Sequence, residues 1–200
     1  MILNRHVFET FLNSKVDPDY DKFSDKLIKL CEELPSKESG VNYSNAGGWQ
    51  SEPFNWDHPK YLGPEMFSYV QNSIIECVRD LPVKQNVGAL FKNFWINVNP
   101  PGTYNTTHIH PGAQLSGIFY VKVPDNSGNL VFENTLEQHN PLSQFLYGVP
   151  TETASVTPTA GQTIVFNSHL PHSVELNRST ESRISIAFNI LLSVNSNEVT

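Results

Sequence analysis

The second half of the chain limits the possible folds most. From Leu90 onward, short β-favouring runs follow one another, and turn residues close most of them. The candidate strands are 91–98, 104–110, 115–123, 129–132, 154–157, 162–166, 172–176 and 183–192. Between them stand Asn99-Pro100-Pro101-Gly102, Pro111-Gly112, Pro124-Asp125-Asn126-Ser127-Gly128 and Pro158-Thr159-Ala160-Gly161. Short strands punctuated in this way specify an antiparallel sandwich or jelly roll. Two helix-like segments come first. Residues 18–34 have Asp17 as cap, Pro18 at the first helical position and Pro35 as terminator. Residues 64–81 carry Phe67, Val70, Ile74, Ile75 and Val78 on one side.

The last strand shows how these parts fit together. Ile184, Ile186, Phe188 and Ile190 alternate with Arg183, Ser185, Ala187 and Asn189, so one face is apolar and the other largely polar. The apolar face needs a cover, which the two helices can supply. The polar face then points into the barrel, where it lines a site. The expected organisation is one domain over 1–200. It comprises a helical and loop extension (1–89) covering a sheet, a jelly-roll core (90–192) and a tail (193–200).

His108 and His110 end the second candidate strand. Positions i and i+2 of a strand share a face, so both imidazoles can reach one metal ion. His172 opens a later strand and is the third candidate, whereas His169, in the turn before it, reads as a solvated loop residue. Neutral imidazole suits Fe(II), Zn, Cu and Ni. Taken alone, the His-x-His pair is equally compatible with two surface histidines on an edge strand. An arginine among apolar β residues must be paired if buried. The fork of Arg183 matches a carboxylate, with Ser185 on the same face. The alternative is a structural ion pair with Glu133 or Glu175. Tyr104 shares the strand parity of the two histidines and is a further binding candidate, as are Asn97, Gln114 and Tyr120. Tyr104 could equally fill the barrel mouth, and Trp95 reads as packing. The long connection 133–153, with Phe145, Leu146 and Tyr147, has the length of a lid or binding loop.

A formal net charge of −7 argues against a generic nucleic-acid or anionic-membrane partner. The two cysteines, both in helix-like segments, read as reduced thiols. Residues 1–9 hold no apolar stretch of signal-peptide length, and no run approaches a membrane span. A cytoplasmic location is expected. Exposed edge strands would permit a homodimer.

The core, roughly 90–192, resembles the 2-oxoglutarate and Fe(II)-dependent oxygenases, and among them the bacterial and phage branch related to prolyl-4-hydroxylase-like enzymes. The resemblance rests on Pro101-Gly102-Thr103-Tyr104 ahead of His108-Ile109-His110 and on Leu115-Ser116-Gly117-Ile118-Phe119-Tyr120-Val121. It continues through Gly128-Asn129-Leu130-Val131-Phe132, Pro158-Thr159-Ala160-Gly161 leading to Phe166, and His172 with Arg183-Ile184-Ser185. Gly47-Gly48-Trp49-Gln50-Ser51 extends it toward the N-terminus.

The resemblance implies a double-stranded β-helix, the cupin-like jelly roll, with a metal in its open end. It also implies Fe(II) on His108 and His172, and the distal carboxylate of 2-oxoglutarate on Arg183, helped by Ser185. The implied activity is a dioxygenase that decarboxylates 2-oxoglutarate to succinate and CO₂ while O₂ hydroxylates a second substrate. The commoner family pattern has a carboxylate where this chain has His110, so His108, His110 and His172 form the expected ligand set here. Two rivals stand beside this reading. One is a cupin-like metal enzyme that ignores 2-oxoglutarate, with Gln114 where many cupins carry a glutamate ligand. The other is a non-catalytic jelly-roll binding module. Arg183-x-Ser185 favours the oxygenase, because a cupin has no need of it. The primary substrate could be a peptide side chain, a nucleotide or a small metabolite.

Overall fold

A computed structural model describes residues 12–55, 57–58, 60–81, 87–134 and 153–194. Its strands are β1 (Leu12–Val16), β2 (Asn45–Ala46), β3 (Trp49–Gln50), β4 (Val87–Asn99), β5 (Tyr104–His108), β6 (Leu115–Lys122), β7 (Leu130–Glu133), β8 (Thr153–Val156), β9 (Gln162–Asn167), β10 (His172–Val174) and β11 (Arg183–Val194). Its helices are α1 (Ser24–Lys37) and α2 (Gly63–Arg79). Six strands form one sheet in the order β1-β9-β6-β11-β4-β3, and five form the other in the order β2-β5-β10-β7-β8. All pairings are antiparallel. The architecture is the mainly β double-stranded β-helix expected from the strand pattern and the resemblance.

The six-stranded sheet has two kinds of face. Phe94, Ile96, Val98, Ile184, Ile186 and Phe188 pack with Leu27, Cys31, Met66, Val70 and Ile74 of the helices into one buried cluster. The apolar residues of α1 recur at Leu27, Cys31 and Leu34, the spacing that makes a single helical stripe. Ile118, Tyr120, Trp95 and Ala187 face the other way and meet Leu130, Phe132 and Phe166 inside the sandwich. Both cysteines are buried and unpaired.

The interior is packed closely enough for one methyl group to matter. A Cβ on Gly117 of β6 would lie 2.6 Å from the backbone oxygen of Ile164 and 2.2 Å from the Phe188 ring. Backbone at the centre of a sheet cannot retreat. Gly117→Ala is therefore expected to destabilise the fold by about 1–3 kcal/mol, the usual cost of overpacking. Urea denaturation would measure it, and an unchanged midpoint would contradict this packing.

The N-terminal elements differ from the sequence expectations in four ways. Residues 18–23 do not join α1: they form one 3-10 turn at Tyr20–Lys22, and α1 starts at Ser24. Asp17 organises that turn, accepting the Asp19 backbone N–H at 2.8 Å, and does not cap the helix. Pro35 lies inside the last turn of α1. A proline there forfeits one hydrogen bond, and the helix still closes through Glu38 N–H to Leu34 O at 3.1 Å. Finally, β1 had no legible signal. Its centre, Asn13-Ser14-Lys15, lacks apolar alternation, because it pairs with β9 as an exposed sheet edge. The lid expectation for 133–153 concerns residues that lie, apart from the ends, outside the described ones.

Candidate active site

The three histidines converge. His108 closes β5, and His172 opens β10 directly opposite it in the sheet register. His110 lies just past β5, where its backbone N–H bonds Ser168 O at 2.9 Å. The imidazole centroids are 4.3 Å apart for His108 and His172, 4.9 Å for His108 and His110, and 5.0 Å for His110 and His172. One nitrogen from each lies within 4.8 Å of the others.

Two of the rings are pinned from behind. His108 Nδ1 is 2.8 Å from Thr106 O, and His172 Nδ1 is 2.8 Å from Leu170 O. A carbonyl can only accept, so Nδ1 carries the proton and Nε2 presents a lone pair. Metal-ligating histidines are commonly held this way. His110 Nε2 and His172 Nε2 stand 3.2 Å apart. Two donors on one ion, with bonds of about 2.1 Å at right angles, would be roughly 3.0 Å apart. His110 and His172 thus stand at the spacing of two ligands on one divalent transition ion, and His108 offers the third nitrogen close by. Burial, with neighbouring imidazoles adding to it, lowers the His110 pKa to about 3 and the His172 pKa to about 4; burial also lowers that of His108. All three are thus neutral near pH 7, as ligation requires. Trp95 and Phe166 flank the triad at 5.4 Å from His110 and 4.7 Å from His172.

Arg183 lies at the other end of the same cavity. It is 2% exposed, yet among the described residues no carboxylate pairs with it. Its one side-chain hydrogen bond runs from Nη1 to Ser127 O at 2.7 Å. The expected structural partners are engaged elsewhere: Glu133 accepts from Thr107 Oγ1 at 2.6 Å, and Glu175 accepts from the Asn129 N–H at 3.0 Å. Burial pulls the Arg183 pKa down, but guanidinium stays charged at any physiological pH. Next to it, Asn97, Ser185 and Tyr120 occupy matched positions on β4, β11 and β6, forming one row across the sheet. The Tyr120 hydroxyl is buried and has no hydrogen-bond partner among the described residues. A buried cation with free donors and an orphaned phenol beside it suit an incoming carboxylate.

The structure gathers His108, His110, His172, Arg183, Ser185 and Asn97 around this cavity, together with Ser44, Asn105 and Tyr120. It does not gather Tyr104. A bulge on β5 breaks the register with β10, pairing His172 with His108 but Val174 with Asn105. The extra residue reverses the parity, so Asn105 lines the cavity while Tyr104 is 43% exposed. Gln114 is also elsewhere, accepting the Leu192 N–H at 2.9 Å at the end of β11. His169 is exposed, as expected. Asn105 and Ser44 had no sequence signal. The first depends on the bulge, and the second on a two-residue strand too short to predict.

Residues 93–189 match a family model described as "Putative 2OG-Fe(II) oxygenase". The match spans the part of the chain that carries the three histidines and Arg183. Solved structures share the fold at low sequence identity. A prolyl-4-hydroxylase from Pseudomonas putida aligns at 16% identity over 89% of this chain and 91% of its own, with a TM-score of 0.58. The viral collagen prolyl hydroxylase of Paramecium Bursaria Chlorella virus-1, solved with 2OG, aligns at 15% over 91% and 97%, with a TM-score of 0.57. A Trichoplax adhaerens prolyl hydroxylase, in complex with a hypoxia inducible factor peptide, aligns at 14% over 90% and 83%, with a TM-score of 0.62. No curated protein sequence matches this one. The cavity has two ends that the chemistry of such an oxygenase would need: nitrogen donors suited to iron and a buried cation suited to a dicarboxylate. It is narrow, with about 40 Å³ free, so the rim must part to admit the cosubstrate.

Proposed function

We propose that the protein is an Fe(II)- and 2-oxoglutarate-dependent dioxygenase in which His108, His110 and His172 hold the iron. Arg183 takes the distal carboxylate of 2-oxoglutarate, assisted by Ser185 and by the Tyr120 hydroxyl, and Asn97 lines the passage between the two ends. The reading is carried by one observation: a buried arginine with no carboxylate partner among the described residues shares a narrow cavity with three converging imidazoles. A cupin-like enzyme has no use for that cation, and a non-catalytic module has no use for the pinned Nε2 lone pairs. When bound, the iron supplies the redox chemistry that couples decarboxylation of 2-oxoglutarate to oxidation of a C–H bond. The chain's own part is to present three neutral nitrogens, to neutralise and aim the dicarboxylate, and to keep water out with Trp95, Phe132 and Phe166.

We read the chain as a single domain and as cytoplasmic. Two buried, unpaired cysteines fit a reducing compartment. No helix among the described residues is long and apolar enough to cross a membrane.

The test is anaerobic reconstitution with Fe(II) followed by 2-oxoglutarate. A visible charge-transfer band, and succinate once air is admitted, are expected. Fe(II) should also raise the melting temperature, because a ligand that binds only the folded state stabilises it. No band, no succinate and no thermal shift together would reject the proposal.

A further inference from the structure

Ser44 belongs to the segment ahead of β4, outside the family-matched residues, and the roles assigned above leave it unused. We propose that its hydroxyl donates a hydrogen bond to the metal-bound end of 2-oxoglutarate, making Ser44 a cosubstrate-binding residue supplied by the N-terminal segment. The inference rests on the function proposed above and deepens it.

Ser44 lines the same cavity, at the end away from Arg183, with its Oγ 3.4 Å from His108 Nε2. Because His108 Nδ1–H is committed to Thr106 O, Nε2 is the acceptor and Ser44 the donor in that contact. The contact cannot survive metal binding. Nε2 has a single lone pair, and ligation takes it. The hydroxyl then keeps its place but loses its acceptor, directly beside the ion. An oxygen ligand of that ion is the natural replacement. A carboxylate oxygen is the strongest candidate, since charge-assisted hydrogen bonds are roughly twice as strong as neutral ones.

The backbone holds the hydroxyl there. Ser44 O accepts the Thr106 N–H at 2.9 Å, on the strand that carries His108. The next residue, Asn45, pairs with Asn105 across β2 and β5. Its side chain is tied on both sides: Oδ1 accepts from Asn99 Nδ2 at 2.8 Å, and Nδ2 donates to Trp49 O at 3.2 Å. Gly48 closes over this knot, where a Cβ would sit 2.3 Å from Asn45 Oδ1. These bonds fix the backbone of Ser44 beside the strand that carries His108. Ser44 and Arg183 line one cavity, so a dicarboxylate held by Arg183 at one end and by the ion at the other would bring its metal-bound oxygens to the Ser44 hydroxyl.

The experiment titrates 2-oxoglutarate into anaerobic Fe(II) protein, reading the visible band, for wild type, Ser44→Ala and Ser44→Thr. Loss of one hydrogen bond to a charged group should raise the Ser44→Ala Kd about tenfold or more and displace the band. Ser44→Thr, which keeps the hydroxyl, should restore most of the affinity. Metal-free melting temperatures of the variants check that they fold. An unchanged Kd and band in Ser44→Ala would overturn the proposal. So would a loss of Fe(II) affinity with 2-oxoglutarate affinity intact, which would make Ser44 a partner of His108 alone. If wild type shows no band, the function reading fails, and the role of Ser44 falls with it.

Discussion

Arg183→Met should weaken 2-oxoglutarate binding by roughly thirtyfold to several thousandfold while leaving Fe(II) affinity close to wild type. Truncating one partner of a buried, hydrogen-bonded charge pair costs about 2–5 kcal/mol, and each 1.4 kcal/mol is a factor of ten. The guanidinium qualifies because it is 2% exposed and, among the described residues, Ser127 O is its one hydrogen-bond acceptor. Methionine has a similar length without the charge, so the apolar packing around the side chain survives. The metal ligands sit at the opposite end of the cavity and should not register the change. A second, opposite effect is expected in the cosubstrate-free protein. There Arg183 is a buried charge with no carboxylate partner among the described residues, and replacing such a charge by an apolar residue is often neutral or stabilising. The metal-free melting temperature should therefore hold or rise. A structural ion pair would give the reverse pattern: a large loss of stability and an unaltered cosubstrate affinity. Charge-transfer titration and thermal unfolding of the same sample separate the two, and a Kd within threefold of wild type would sink the assignment.

The sequence made the frame of this site legible and hid its details for physical reasons. The alternation in β11 sorted Arg183 and Ser185 from Ile184 and Ile186, because side-chain direction has period two in any extended strand. His172 could be told from His169 because one opens a strand and the other sits in a turn. Tyr104 failed by the same rule. One inserted residue on β5 reverses the parity, and a bulge leaves no mark in composition. Tyr120 was legible as a binding candidate, but the cross-sheet row that brings it level with Ser185 requires the register. Ser44 was the least legible. It reaches the triad through pairings of two residues on β2 and two on β3, which join the N-terminal segment to both sheets and are shorter than any periodic signal.

The identity of the third ligand leads to the other large effects. His172→Ala should lower Fe(II) affinity by more than about a hundredfold, since even loss of an outer-shell partner costs ten- to hundredfold. The metal-induced rise in melting temperature should vanish with it. His110→Asp is the more discriminating change, because it installs the carboxylate of the commoner family pattern. Metal binding should persist, as aspartate is a competent ligand for iron. The centre, however, becomes one unit less positive. A dianionic cosubstrate whose chelating oxygens meet that ligand should bind roughly tenfold more weakly, a loss of about 1.4 kcal/mol. Without metal the effect reverses in kind. The slot lies beside Trp95 and the neutral rings of His108 and His172. A carboxylate there would be raised in pKa by burial and would cost stability when ionised, whereas an imidazole with its pKa lowered to about 3 sits there uncharged. The metal-free His110→Asp protein should accordingly melt below wild type near pH 7 and recover as the pH falls and the new carboxyl protonates. If the variant instead matched wild type without metal and bound 2-oxoglutarate more tightly with it, the neutral triad would have no electrostatic rationale at this position.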